Sequence, residues 1–135
     1  MIPDGFAPHF RKSKFTDPWE PLYSKVEPDQ VKMGVILSEA HCNSRNLVHG
    51  AFLAAIADNA MGLSCGAVLS SKKREFNGLV TINLSVDYIG RANVGEWIST
   101  EIEVLKTGGA LCFATCLLFT DKRKIARANA TFQVL

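Results

Sequence analysis

A single carboxylate, Asp58, interrupts a run of small and apolar residues extending from about Gly50 to Leu69. A carboxylate removed from water needs donors or an opposite charge, and otherwise its pKa rises until it holds a proton. Asp58 therefore either reaches a solvent-filled rim or a backbone donor, or serves as a catalytic acid, base or nucleophile. The residues before it favour the second role. Asn43 offers amide donors, His49 can fix a loop or donate a bond, and Gly50 has an unencumbered backbone N–H. At the start of a helix that N–H lies at the positive end of the dipole, where negative charge developing on a carbonyl oxygen is stabilised. Such a group resembles an oxyanion hole, set near an acid or base.

These residues need a helix to place them. Asn43 or Asn46 stands where it can cap one that begins between Leu47 and Gly50 and continues to about Leu69. Phe52, Ile56, Met61 and Leu63 supply bulk, while Ala51, Ala54, Ala55, Ala57, Ala60 and Gly62 allow close approach. The Lys and Glu face of a surface helix is missing, so this helix is expected to be enclosed. Gly50 and Asp58 lie about 12 Å apart along its axis, from the usual rise per residue. Reacting groups must approach within roughly 3–3.5 Å. If Gly50 and Asp58 serve one thioester or ester carbon, they come from different chains, and a two-fold dimer with antiparallel helices would supply two such sites.

Strands are expected on both sides of the helix. Leu22–Val26 is a candidate short strand and Gln30–Ala40 a better one, with Pro28-Asp29 as the break. After a charged connection, Lys72-Lys73-Arg74-Glu75, clear alternation places Val80, Ile82, Leu84, Val86 and Tyr88 on one face. Gly90-Arg91-Ala92-Asn93 turns the chain into a strand over Val94–Lys106, and Gly108-Gly109 makes a hairpin. Leu111–Thr120 is apolar on both faces, the mark of a central strand or of one whose outer face meets another subunit. Ile125–Leu135 completes the set. The first 21 residues hold Pro3, Pro8, Pro18 and Pro21, which exclude a long helix, and Phe6, Phe10, Phe15 and Trp19, which suit contact with a surface. Residues 1–29 are thus expected to be an extension packed on the domain or on a partner subunit, and residues 30–135 the domain itself.

At 135 residues the chain has room for one core. Its formal charge of +2, from 15 basic and 13 acidic residues, shows no basic stripe for nucleic acid. The four cysteines, at 42, 65, 112 and 116, form no CxxC pair and sit among apolar residues. They read as reduced core thiols, and a cytoplasmic location is the expectation. No uninterrupted apolar run approaches the roughly 20 residues of a membrane span. His41, Cys42 and His49 do not complete a metal-ligand set.

In pattern, His41–Gly66 resembles the hotdog-fold acyl-CoA thioesterases, in particular the phenylacetate-degradation group, whose members carry an Asn, a His-Gly-Gly and an Asp at fixed intervals. Asn43, His49-Gly50 and Asp58 stand at those intervals, and Tyr88 with Gly95-Glu96 follows in order. The likeness covers about residues 30–135. It implies an α+β fold in which a curved antiparallel sheet of five to six strands wraps one long helix, paired into a homodimer and often doubled into a homotetramer. It further implies hydrolysis of an acyl-CoA or aryl-CoA to free acid and CoA, without cofactor or metal. By that likeness Asp58 is base or nucleophile, the Gly50 N–H polarises the thioester carbonyl, Asn43 orients carbonyl or water, His49 supports the loop, and Thr81 helps position water. Ala51 departs from the pattern where a second glycine is usual, and Arg91 replaces a common proline. Two other readings fit the residues: a hotdog hydratase or dehydratase acting on acyl thioesters, and an acyl-CoA binding protein without activity.

Overall fold

The computed structural model describes residues 2–121 and 123–135. Its one long helix, α1 (Gly50–Ser71), lies against a seven-stranded antiparallel sheet. In chain order the strands are β1 (Ala7–Pro8), β2 (Tyr23–Glu27), β3 (Gln30–Ile36), β4 (Leu79–Tyr88), β5 (Trp97–Thr107), β6 (Leu111–Thr120) and β7 (Arg123–Val134). Their spatial order is β1-β2-β3-β5-β6-β7-β4. The seventh strand beyond the expected six is the two-residue β1, which pairs with β2.

Two faces of α1 differ in bulk more than in polarity. Phe52, Leu53, Ile56, Met61, Cys65 and Leu69 are buried with Ala57 and Ala60 on the face that meets the sheet. Each large side chain buried there contributes about 1.5–3 kcal/mol relative to exposure. The opposite face, which includes Ala54, Ala55, Asp58, Asn59, Gly62, Leu63 and Gly66, is only half-buried. The enclosure read from the missing polar face is therefore supplied by the chain on one side only.

Side chains hold the helix where backbone ladders end. Ser64 Oγ accepts from Val31 N at 2.9 Å and donates to Ala60 O at 2.6 Å, fixing α1 to the start of β3. The β3–β5 ladder runs from Gly34 to Ile36, and beyond it Thr100 Oγ1 takes the Met33 N–H while Gln30 Oε1 takes that of Ile102. Gly34 is required here, since a Cβ would stand 2.2 Å from the Trp97 ring. The charged run after α1 also has a structural part: Lys72 bonds Thr107 Oγ1, and Arg74 donates to the Gly108 and Gly109 carbonyls of the β5–β6 hairpin.

Strand β4 forms the sheet edge beyond β7. A register shift between Thr81 and Asn83 interrupts its alternation. Thr81 pairs with buried Phe132, and Leu84 and Val86 pair with buried Ala130 and Ala128, so these three face α1. Val80 pairs with Gln133 and faces outward, contrary to the uniform alternation expected of it. The extra residue admits a hydroxyl to the helix side without turning Leu84 and Val86 away from it.

Strand β5 begins at Trp97, three residues later than expected, because Val94 belongs to the preceding turn. That turn uses Gly95 in a left-handed conformation, φ +94°. Glu96 locks it by accepting from Asn93 N at 2.6 Å, Thr120 Oγ1 and Arg123. The Asn93 bond first, then Arg123 and Thr120, hold the Glu96 carboxyl below its usual range against some burial.

Candidate active site

The loop before α1 is built by its own polar groups. Asn43 Oδ1 accepts from Arg45 N at 2.9 Å and Leu47 N at 3.3 Å, and Asn46 takes a left-handed conformation, φ +61°. Neither asparagine caps the helix. His49 does so, its Nδ1 accepting from Ala51 N at 3.1 Å. That bond places the proton of the neutral ring on Nε2. With Asn43 Oδ1 committed to the loop, its amide hydrogens remain as donors.

Gly50 is the first residue of α1, and its N–H has no acceptor among the described residues. Its carbonyl accepts from the Tyr88 hydroxyl at 2.8 Å, and the Tyr88 ring stands 3.1 Å from where a Cβ would lie. Glycine thus lets β4 close on the helix start. Sequence pattern placed Tyr88 in a strand but gave no sign of this bond.

His41 supports the same loop from beneath. It is buried, accepts from Ser38 N through Nδ1, donates to Trp19 O through Nε2 at 2.8 Å, and packs on Phe52 at 4.4 Å. Burial lowers its pKa, with the bond to the Trp19 carbonyl opposing. Trp19 meets Phe52 edge-on, and Phe15 meets Trp19 in the same way. An aromatic series thereby holds the amino-terminal segment against the first turns of α1.

Asp58 lies two turns farther along, on the half-buried face. Thr81 Oγ1 donates to Asp58 Oδ1 at 2.5 Å, the length of a charge-assisted O–H···O⁻ bond. Both residues line a groove of about 640 Å³. Its floor follows the small residues of α1 from Asp58 past Gly62, Gly66 and Ala67 to Ser70, about 18 Å by helical rise. His9–Ser13 and Thr16 of the amino-terminal segment, Phe76–Leu79 and Phe132 also line it.

The five residues singled out in the sequence therefore fall into two groups within one protomer. Asp58 and Thr81 meet in the groove, whereas Asn43, His49 and Gly50 sit at the helix start and do not line it. Among the described residues no three potential metal ligands cluster. Cys65, Cys112 and Cys116 are buried and unpaired, and burial first of all pushes the thiols of Cys65 and Cys116 up to about 12, so they hold no ready nucleophile.

Comparison with known proteins bears on what this arrangement is. The family model described as the thioesterase superfamily matches residues 45–126, from the loop before α1 into β7. A candidate esterase of Pseudomonas aeruginosa is 29% identical over 98% of this chain and 97% of its own length. The solved thioesterase superfamily member 2 of zebra fish is similar in fold, with a TM-score of 0.81 at 22% identity over 92% of this chain and 88% of that one. So is a hypothetical thioesterase protein of Streptococcus pneumoniae solved with coenzyme A, with a TM-score of 0.75 at 18% identity over 86% and 90%.

Proposed function

Because the chain belongs to the thioesterase superfamily, with its hotdog fold, we propose that it hydrolyses an acyl-CoA or aryl-CoA thioester to free acid and CoA. The observation that carries this reading is the Thr81–Asp58 bond at 2.5 Å on the floor of a groove. Thr81 occupies one carboxylate oxygen of Asp58 and leaves the other to take a proton from water. Water then forms the new C–O bond, and the tetrahedral oxyanion rests on the Gly50 N–H at the positive end of α1. Collapse breaks the C–S bond, and the proton held by Asp58 leaves with the CoA thiol. Asn43, through its amide hydrogens, orients the carbonyl, and the His49 cap keeps the donor loop in place. The coenzyme A found with the Streptococcus relative supports CoA as the carrier.

The two groups of residues meet across a homodimer in this reading. Asp58 and Thr81 of one protomer face Gly50 and Asn43 of the other. Two features support it: the half-buried face of α1, and the exposed edge of β4, where Val80, Ile82 and Leu84 are 44%, 52% and 37% exposed. An apolar edge strand of this length invites pairing with a second copy.

Two disabled variants test both parts. Asp58→Asn removes the base, while Gly50→Pro removes the N–H at a first helical position whose backbone tolerates proline, with Tyr88→Ala added to clear the ring that stands 3.1 Å from a Cβ there. His49, with φ −76° and ψ 133°, already has the extended backbone that precedes proline. Each homodimer is expected to release thiol from an acyl-CoA panel at only a small residual rate. Refolding an equal mixture is expected to restore about a quarter of wild-type activity, since half the dimers are mixed and each has one intact site. No restored activity would overturn the shared site, and a fully active Asp58→Asn homodimer would overturn the hydrolytic role of Asp58.

A further inference from the structure

We infer that the amino-terminal segment over residues 10–15 docks the rim of the groove on an anionic lipid surface. The segment reads Phe-Arg-Lys-Ser-Lys-Phe, three cations and no acid between two phenylalanines. Phe10 and Phe15 are 59% and 67% exposed. Neither ring is loose. Phe10 packs on buried His9 at 4.8 Å between centroids, and Phe15 meets Trp19 edge-on at 5.0 Å. The backbone beneath them is fixed as well: His9 N donates to Leu22 O at 2.9 Å, and Ser13 O accepts from Thr16 N and Asp17 N in a tight turn. Two large apolar rings are therefore presented to solvent on an ordered frame, an arrangement that marks an interaction surface.

Charge names the partner. Lys12 is engaged by Glu20 at 3.1 Å, whereas Arg11 and Lys14 are exposed and make no ion pair or side-chain hydrogen bond among the described residues. Free cations beside exposed aromatic rings fit the interface of an anionic bilayer, where headgroups take the charges and the acyl boundary takes the rings. A second copy of the chain fits less well. The same segment set against itself about a two-fold axis would bring Arg11 and Lys14 onto like charges, and the β4 edge proposed for pairing lies at the opposite end of the sheet from β1. Phe10, Arg11, Lys12 and Ser13 also line the groove, so docking here turns its rim toward the phase in which acyl chains collect. The docking goes beyond the proposed hydrolysis and does not depend on it.

The test floats the full chain through a density gradient with vesicles of phosphatidylcholine alone, or of phosphatidylcholine with about a third phosphatidylglycerol. The wild type is expected to partition about tenfold or more in favour of the anionic vesicles, and to lose that preference in about 0.5 M salt. Lys14→Glu reverses a charge outside the groove lining, so it is expected to lower anionic partition by about tenfold while leaving thiol release from a short-chain acyl-CoA unchanged. Lys14→Arg is expected to keep the partition, and Phe15→Ser to lower it several-fold. Equal partition of the wild type onto both vesicles would overturn the inference, as would an anionic preference that survives Lys14→Glu or a partition untouched by Phe15→Ser. A wild type that binds neither vesicle, with an oligomer mass by light scattering that falls in Phe15→Ser, would make the patch a contact between copies and overturn it too. Flotation without thiol release sinks the hydrolytic reading alone, and thiol release without flotation sinks the docking alone. Thermal unfolding identifies a Phe15→Ser chain that has lost its fold, and Lys14→Glu then decides.

Discussion

Replacing Thr81 by valine removes one hydroxyl from the site while keeping the branched shape that β4 presents to α1. The lost contact is the bond to Asp58 Oδ1 at 2.5 Å. Hydrogen bonds to charged groups contribute about 1.5–3 kcal/mol net, and the exposure of Thr81 in the single chain favours the lower end. If the bond acts by holding Asp58 in its working position, that energy appears in the barrier as a loss in kcat of about tenfold, and of at most about a hundredfold if a second protomer dries the site. KM is expected to change little, because Thr81 acts on the carboxylate and not on the bound thioester. Thr81→Ser retains the hydroxyl and is expected to keep most of the rate. In an Asp58→Asn background, Thr81→Val is expected to cost little more, since the group it orients is already gone. Steady-state thiol release for the four variants provides the measurement. Wild-type kcat in Thr81→Val, or an equal loss in Thr81→Ser, would refute the assignment and leave the contact as a link between strand and helix.

Three further outcomes follow from packing and protonation. Gly34→Ala drives a methyl group into the Trp97 ring, with 2.2 Å to Cζ2, and overpacking of this kind costs about 1–3 kcal/mol. Calorimetry is expected to show a melting temperature lower by about 3–4 °C for each kcal/mol lost, and an unchanged value would mean the ring yields freely. Burial lowers the pKa of both His9 and His41, so below about pH 6.5 the unfolded chain binds more protons than the folded one. Their stabilising effect is complete above that pH and is lost as pH falls through the folded values; a melting temperature that stays level or rises from about pH 7.5 to about pH 5.5 would contradict it. Cys65 and Cys116, with thiols pushed up to about 12, are expected to resist alkylation in the folded chain and to react once it is unfolded, as mass spectrometry of the labelled peptides would record.

The elements legible in the sequence are those whose residues signal their own burial. Alternation found β5 and β7, and β6 lies inside the sheet, between β5 and β7, which is one of the two readings that the two-sided apolar run of Leu111–Thr120 left open. Errors arose where a local signal has more than one structural outcome. Asn43 and Asn46 are good capping residues, yet Asn43 folds the loop, Asn46 makes its left-handed turn, and the cap falls to His49. Alternation through Val80 and Ile82 could not reveal the register shift, because the pattern of apolar residues continues through it. That shift decides whether Thr81 meets Asp58.

The missing polar face of α1 shows why a correct observation yielded an incomplete structural reading. Absence of Lys and Glu implies that water does not cover the helix, but it does not say what does. The sheet takes the bulky face, where Phe52, Leu53, Ile56 and Met61 fill space, and leaves the face of Ala54, Ala55, Gly62 and Gly66 half-buried. Small residues suit close approach, and the carboxylate among them suits a reaction. Both needs fall on the same strip of helix, and among the described residues one protomer brings only Thr81 to it as a partner for Asp58. The donor at Gly50 lies too far along the same axis to reach a carbon beside Asp58. Covering the helix and completing the site are thus one requirement under the proposed mechanism. A charge introduced on the open face at Gly62→Glu would then reduce both assembly and thiol release together, whereas a monomeric variant with undiminished turnover would separate them and remove the case for a shared site.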